Sequence, residues 1–287
     1  SLYNYGAESG TIIVMDPKNG EILAMASTPR LNLDNYSQYD QIFNSASEYN
    51  RAINMPYEPG SVFKILTMAA ALDMGIVTPQ TTYVDIGSFS INGTVIRNWD
   101  QGAWGLQDMT GCLRHSLNVC MAWIATEMGT DNFYDYMSNF GIGHPTGIDL
   151  SGEAGGRLKV PGDADWYPID LATNSFGQGV TTTPIQMLMA TSAVANDGKM
   201  VAPHILYGMV RNGKQYDFPP QDAGTPISKG AAQALSEMLA NSIAGDDSNV
   251  AIPGYRLAGK TGTAQIPTEY GWYSEEENNT SYIGLGP

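Results

Sequence analysis

The sequence predicts an α+β domain in which strands from the two chain ends form an antiparallel sheet and a helical lobe is inserted between them. Three observations predict it. Strand-type patterns lie near both ends, at 11–27 and 255–285. Helix-type patterns fill the middle. One of them, Ser61 to Met74, is apolar nearly all round, which marks a helix buried at the centre. The layout is therefore one domain over residues 1–287, with sheet parts at about 8–30 and 228–287 and a helical lobe at about 61–227.

The elements follow in order. Thr11 to Met15 and Glu21 to Met25 flank Asp16-Pro17-Lys18-Asn19-Gly20, whose Asn-Gly pair signals a hairpin turn. Residues 28–60 are polar and tyrosine-rich, with little period. Pro59-Gly60 opens the central helix and Gly75 closes it. A glycine- and turn-rich stretch runs over about 79–105, followed by helical patterns near 106–115, 119–128 and 131–140. Residues 141–182 read as loop. Thr183-Pro184-Ile185-Gln186 then combines an N-cap, a proline in the first turn and a capping-box glutamine, so a helix should run to Asn196 with Gly198 beyond it. A further helix is expected over 229–244. Tyr255 to Ile266 and Ser281 to Leu285 read as strands, with 270–277 as a solvated hairpin loop.

Composition bounds the function. The 287 residues carry a formal charge of −15, yet only 15% are charged and 43% are hydrophobic. That is a core-forming composition, which excludes disorder for most of the chain. The acidic balance argues against nucleic acid or an anionic membrane surface as the main partner. No apolar run is long enough to span a membrane. Ser1-Leu2-Tyr3-Asn4-Tyr5 lacks the start of a signal peptide and reads as the beginning of a fragment. His115, His144 and His204 have no helical pairing, so neither a metal nor a cofactor is expected. Cys112 and Cys120 on one helix would lie about 12 Å apart along its axis, too far for a bridge, and so read as two buried thiols.

Lys64 stands out on the apolar helix. A lysine there must find a partner or lose its proton, because burial disfavours the ammonium. Ser61 lies on the same face, three residues earlier. The pair offers a hydroxyl beside an amine tuned to act as a base, with the helix N-terminus supplying positive potential for an oxyanion. The plainer alternative is an N-cap serine and an outward-reaching lysine. Ser116-Leu117-Asn118 falls in a break between helical patterns. Lys260-Thr261-Gly262-Thr263 lies on a predicted strand, where Lys260 and Gly262 share one face. The glycine-rich composition of that strand suits close approach by another backbone.

Ser-x-x-Lys, Ser-x-Asn and Lys-Thr-Gly, in this order, form the signature of penicillin-recognising serine acyltransferases. The chain resembles the transpeptidase domain of penicillin-binding proteins over nearly its whole length. Asn50-Arg51-Ala52, Tyr57-Glu58-Pro59-Gly60, Thr146 to Glu153 and Ser175-Phe176-Gly177-Gln178-Gly179 are similar to the class B, monofunctional group. Glu58 and the Ser175–Gly179 run favour its division-type branch.

The resemblance implies the penicillin-binding/serine β-lactamase-like fold, with helices on both faces of the sheet, and a full set of roles. Ser61 would be the nucleophile and Lys64 its base. Ser116 would relay a proton to the leaving group, and Asn118 would bind the substrate amide. Lys260, Thr261 and Thr263 would hold the terminal carboxylate. Gly262 would leave room for substrate along the strand, and the backbone amides of Ser61 and Thr263 would form the oxyanion hole. Implied partners are peptidoglycan stem peptides ending in D-Ala-D-Ala, β-lactam antibiotics, a membrane glycan polymerase and other cell-wall assembly proteins. The implied location is the extracytoplasmic face of the bacterial cytoplasmic membrane, held by an N-terminal helix outside this chain. Against a net acidic surface, Lys64 and Lys260 should make the site locally positive. Two features depart from the family pattern: Leu117 replaces a common serine, and the chain ends before a last strand and helix that the fold implies. Two other functions stay open from sequence: a D,D-carboxypeptidase or β-lactamase-type hydrolase, and a non-catalytic β-lactam sensor or division scaffold.

Overall fold

The computed structural model describes residues 2–28, 34, 50–244, 252, 254–267 and 273–286. At the N-terminal end, β1 (Gly10–Met15) and β2 (Ile22–Thr28) pair antiparallel from Gly10↔Thr28 inward, with a bulge at Val14/Met15. The bulge lets Ile22 and Met25, three residues apart, face the same side as Ile13, onto a small apolar cluster. That cluster holds Ala52 and Ile53 of helix α1 (Arg51–Asn54), Ile148, and Ile185. Most of the polar stretch 28–60 lies outside the described residues.

The central helix begins with a 3-10 turn, Gly60–Phe63, and continues as α2 (Lys64–Asp73). Unbranched and small side chains favour this helix, and eight of its residues, Lys64 to Ala71, are buried. Ser61 lies in the 3-10 turn and Lys64 opens the α-helix three residues on. One apolar core surrounds α2. It takes in α3 (Met109–Arg114), α4 (Asn118–Met128), α5 (Thr130–Asn139), α6 (Pro168–Asn174), α7 (Pro184–Ala195) and α8 (Lys229–Ala244). The capping box of α7 forms as expected, Thr183 accepting from Gln186 N and Gln186 Oε1 from Thr183 N.

Several stretches for which the sequence predicts no regular element contain short ordered ones. Residues 79–105 contain β3 (Thr82–Asp85), β4 (Ser88–Ile91) and β5 (Thr94–Arg97), and β3 pairs with β6 (Gly105–Asp108). The β4–β5 hairpin turns at Asn92-Gly93, a signal available in the sequence but masked by strands of four residues. Helix α6 lies inside the expected loop 141–182, started by Pro168 and closed into a capping box by Asp170. Four more short strands follow α7: β7 (Met200–Val201), β8 (Gly208–Arg211), β9 (Lys214–Asp217) and β10 (Asp222–Gly224).

At the other end, β11 (Ala258–Pro267) and β12 (Tyr273–Leu285) form a long antiparallel hairpin with α8 packed on β11. Strand β12 starts eight residues earlier than expected, so 273–277 belong to a strand and not to a solvated loop, while 270–272 lie outside the described residues. Among the described residues the β1–β2 and β11–β12 hairpins do not hydrogen-bond to one another.

The cysteines correct the sequence reading. Cys112 and Cys120 form a disulfide with Cα atoms 6.2 Å apart. They do not share a helix: α3 ends at Arg114, and Ser116 adopts a left-handed φ of 54° that turns the chain before α4 starts at Asn118. The reversal brings Cys120 back to Cys112, within bridging distance.

Candidate active site

The site assembles where the 3-10 turn before α2 meets two other pieces of chain. The segment Tyr57–Gly60 is bedded on 177–182. Tyr57 and Thr182 exchange backbone hydrogen bonds at 2.9 Å, and Gly60 N donates to Gly177 O at 3.0 Å. Gly60 and Gly177 both have positive φ, +57° and +84°. A Cβ on Gly177 would lie 2.2 Å from Gly60 O, so only glycine lets the two backbones meet. Thr67 Oγ1 donates to Ser175 O at 2.7 Å, and Glu58 Oε1 accepts from Gly179 N at 3.0 Å. The run Ser175–Gly179 is therefore the bed of the turn that carries Ser61.

Lys64 is fully buried. Its Nζ donates to Ser116 O at 2.5 Å, Ser116 Oγ at 3.1 Å and Asn118 Oδ1 at 2.8 Å. Burial pushes its pKa well below the ordinary lysine value, and the charge of Lys260 pushes it the same way. The structure thus excludes the outward-reaching lysine. Ser61 precedes Lys64 by three residues, and the Ser-x-Asn segment binds the amine. Ser116 holds its left-handed conformation within the disulfide-closed loop, and Leu117 is wholly buried. Asn118 Nδ2 donates to Arg97 O at 3.2 Å, so its amide is engaged at both ends.

Strand β11 forms the third wall. Lys260, Gly262 and Ala264 are buried, whereas Thr261 and Thr263 point outward. Lys260 Nζ donates to Thr261 O at 3.0 Å. Thr263 O lies 2.8 Å from the Cβ position of Gly60, which sets the backbone of Thr263 beside Ser61. The reading of Gly262 changes. A Cβ there would meet Ser281 Oγ at 2.5 Å and Pro59 O and Val62 Cγ1 at 3.0 Å. Its missing side chain admits the Pro59–Val62 turn from the buried side, and Thr261 and Thr263 are the side chains that face outward.

Glu58 and Tyr273 acquire a shared place that the sequence did not suggest. Tyr273 OH donates to Glu58 at 3.1 Å, tying the start of β12 to the segment before Ser61. Burial raises the pKa of the Glu58 carboxyl, opposed by the Gly179 amide, the Tyr273 hydroxyl and the nearby Lys159. Lys159 itself pairs with Asp170 at 2.6 Å. Among the described residues no group of three or more His, Cys, Asp or Glu is placed to hold a metal ion, and no helix is long and apolar enough to cross a membrane.

A serine heading a buried helix, a desolvated lysine one turn on, a Ser-x-Asn reversal against that lysine and a Lys-Thr-Gly strand alongside define a serine–lysine site in a penicillin-recognising fold. The chain belongs to the Transpeptidase family, the penicillin binding protein transpeptidase domain, which matches residues 10–287. Its relatives place it in class B. It is 36% identical over 297 residues to stage V sporulation protein D of Bacillus subtilis, covering 99% of this chain and 44% of that protein. It is 32% identical to penicillin-binding protein PbpB of Mycobacterium tuberculosis, covering 98% and 42%. The chain spans less than half the length of these relatives. Among solved structures, penicillin binding protein 3 of M. tuberculosis complexed with aztreonam superimposes with a TM-score of 0.88 at 30% identity, covering 99% of this chain and 65% of that one. The D,D-transpeptidase domain from Eggerthella lenta also gives 0.88, at 25% identity, covering 100% and 72%.

Proposed function

We propose that this chain is the catalytic domain of a peptidoglycan D,D-transpeptidase that works through a serine acyl-enzyme. The observation that carries the reading is Lys64, a buried amine with a depressed pKa, three residues after Ser61 and hydrogen-bonded to Ser116 and Asn118 of the Ser-x-Asn reversal. A neutral Lys64 takes the proton of Ser61 as the serine oxygen attacks the carbonyl of the penultimate D-alanine. The backbone amides of Ser61 and Thr263 receive the oxyanion, a contribution of about 10²–10³ in rate per donor. Ser116, already bonded to Lys64, relays the proton to the amine of the departing D-alanine. Lys260, Thr261 and Thr263 hold the terminal carboxylate, and Asn118 orients the substrate amide beside Lys64. The amine of a second stem peptide then attacks the ester carbonyl, releasing Ser61 and forming the cross-link. β-Lactams enter the same reaction and stay as acyl adducts, in keeping with the aztreonam and ampicillin complexes of the M. tuberculosis protein.

The reaction takes place at the extracytoplasmic face of the membrane, beside a glycan polymerase and other cell-wall assembly proteins. The Cys112–Cys120 disulfide supports an oxidising compartment. Glu58 and the Ser175–Gly179 bed support the division-type branch. The test is covalent mass after incubation with a labelled penicillin, with Ser61→Ala as control. A persistent adduct on Ser61 is expected. An adduct that disappears within minutes indicates a hydrolase, and no adduct at all removes the catalytic assignment.

A further inference from the structure

Helix α4 begins one residue after Leu117, whose side chain cannot cap it, although the first turn of any helix presents backbone N–H groups without intrahelical partners. The missing cap comes from another element. Asn98, immediately after β5, accepts from Val119 N through Oδ1 at 3.4 Å. The neighbouring Arg97 carbonyl accepts from Asn118 Nδ2 at 3.2 Å. Asn98 is in turn held from behind. Its Nδ2 donates to Asp85 Oδ2 at 2.8 Å and to Gly102 O at 3.2 Å. Asp85 accepts also from Gly87 N at 2.8 Å and Trp104 N at 3.0 Å. Asp85 and Asn98 are only 1% and 2% exposed. All three of these donors to Asp85 are neutral, and it takes part in none of the ion pairs among the described residues. Asp85 and Asn98 thus form a buried, hydrogen-bonded pair behind the first turn of α4.

We infer that Asp85 and Asn98 are a positioning pair for the acyl-transfer reaction, aiming the Asn118 amide at Lys64. This rests on the transpeptidase reading above. Asp85 fixes the rotamer of Asn98. Asn98 and the Arg97 carbonyl together fix the first turn of α4 and the Asn118 amide. Asn118 Oδ1 is thereby presented to Lys64 Nζ at 2.8 Å. The β3–β6 segment becomes the rear support of the Ser-x-Asn motif, and neither residue of the pair touches the reacting atoms.

The experiment measures penicillin acylation by mass, against concentration and pH, for the wild-type chain, Asn98→Ala and the near-isosteric Asp85→Asn, all at a temperature where each is folded. Asn118 released from its support no longer accepts from the Lys64 ammonium, so the ammonium loses stabilisation and the lysine pKa falls further. Lys260, the charged group that bears on Lys64, is untouched in both variants. The expected result is a maximal acylation rate about 10–100-fold lower for Asn98→Ala and about 3–10-fold lower for Asp85→Asn. The half-saturating penicillin concentration should change by less than about threefold. The acid limb of the pH profile should move to lower pH. Wild-type rates and an unmoved limb in Asp85→Asn overturn the inference, even if that variant melts earlier, and this holds should Asn98→Ala fail to fold. Absence of a Ser61 adduct in the wild-type chain would instead remove the transpeptidase reading itself.

Discussion

Alanine at Gly177 should damage this protein far more than alanine at Gly75, although both glycines have positive φ, +84° and +71°. At Gly75, just after α2, an added Cβ meets nothing within 4 Å. The cost of Gly75→Ala is then the left-handed conformation alone, roughly 1–2 kcal/mol. At Gly177 the same Cβ would sit 2.2 Å from Gly60 O and 2.7 Å from Gly60 N. Restoring an ordinary contact separates the two backbones by roughly 1 Å in a close-packed interior. That separation breaks the Gly60 N–Gly177 O hydrogen bond of 3.0 Å and leaves a buried donor unpaired, a further loss of about 1–3 kcal/mol. Gly177→Ala should therefore cost about 2–5 kcal/mol. Because Ser61 follows Gly60 directly, a displacement of that size should lower penicillin acylation on the order of 10²-fold. Urea unfolding of both variants, with acylation measured by mass at a temperature where both are folded, decides the matter. If Gly177→Ala lies within 1 kcal/mol of Gly75→Ala and acylates at its rate, the bed described for the turn that carries Ser61 is wrong.

Three more outcomes are expected. Lys64 must be neutral to act as base, so acylation should rise with pH through an acid limb lying well below an ordinary lysine. Lys260→Ala removes one of the two causes of that depression and should move the limb upward. Replacing both Cys112 and Cys120 by alanine opens a loop with a sequence separation of 8 and should cost about 2.5 kcal/mol by loop-closure entropy. Reductant should lower the melting temperature of the wild type and leave that of the variant unchanged. Glu58 has a folded-state pKa above its unfolded value, so the folded protein holds the extra proton and loses stability as pH rises through that window. Glu58→Gln abolishes this term, and its stability relative to the wild type should improve with pH over the same range. A pH-independent difference in urea midpoints would show that Glu58 does not titrate there.

Much of the site was legible because its signals are local. Ser61 and Lys64 are three residues apart on one helix, and the alternation that buries Lys260, Gly262 and Ala264 is the ordinary period of a strand. The capping box at Thr183–Gln186 and the stop at Gly75 depend on backbone groups within a turn of the residue concerned. The short strands at 82–108 were missed for a related reason. Four-residue strands give no period to count, and only the Asn92-Gly93 turn marked the hairpin. Helix α6 had Pro168 and Asp170 as start signals, but its seven residues gave too short a pattern to stand out.

The sequence by itself picked out the candidate residues for chemistry and the elements they ride on. Tertiary structure alone decided what each one faces. Lys64 is a buried amine because the Ser116 reversal lies against it, 52 residues along the chain. Gly262 faces the turn that carries Ser61 because Pro59 and Val62 pack against β11 there. Cys112 meets Cys120 because a left-handed serine breaks the helix that would have kept them apart. Tyr273 finds Glu58 across 215 residues. Caps and periods are properties of a few neighbouring residues. The partner of a buried polar group is chosen by the whole fold, because an unpaired one costs more than the packed chain tolerates.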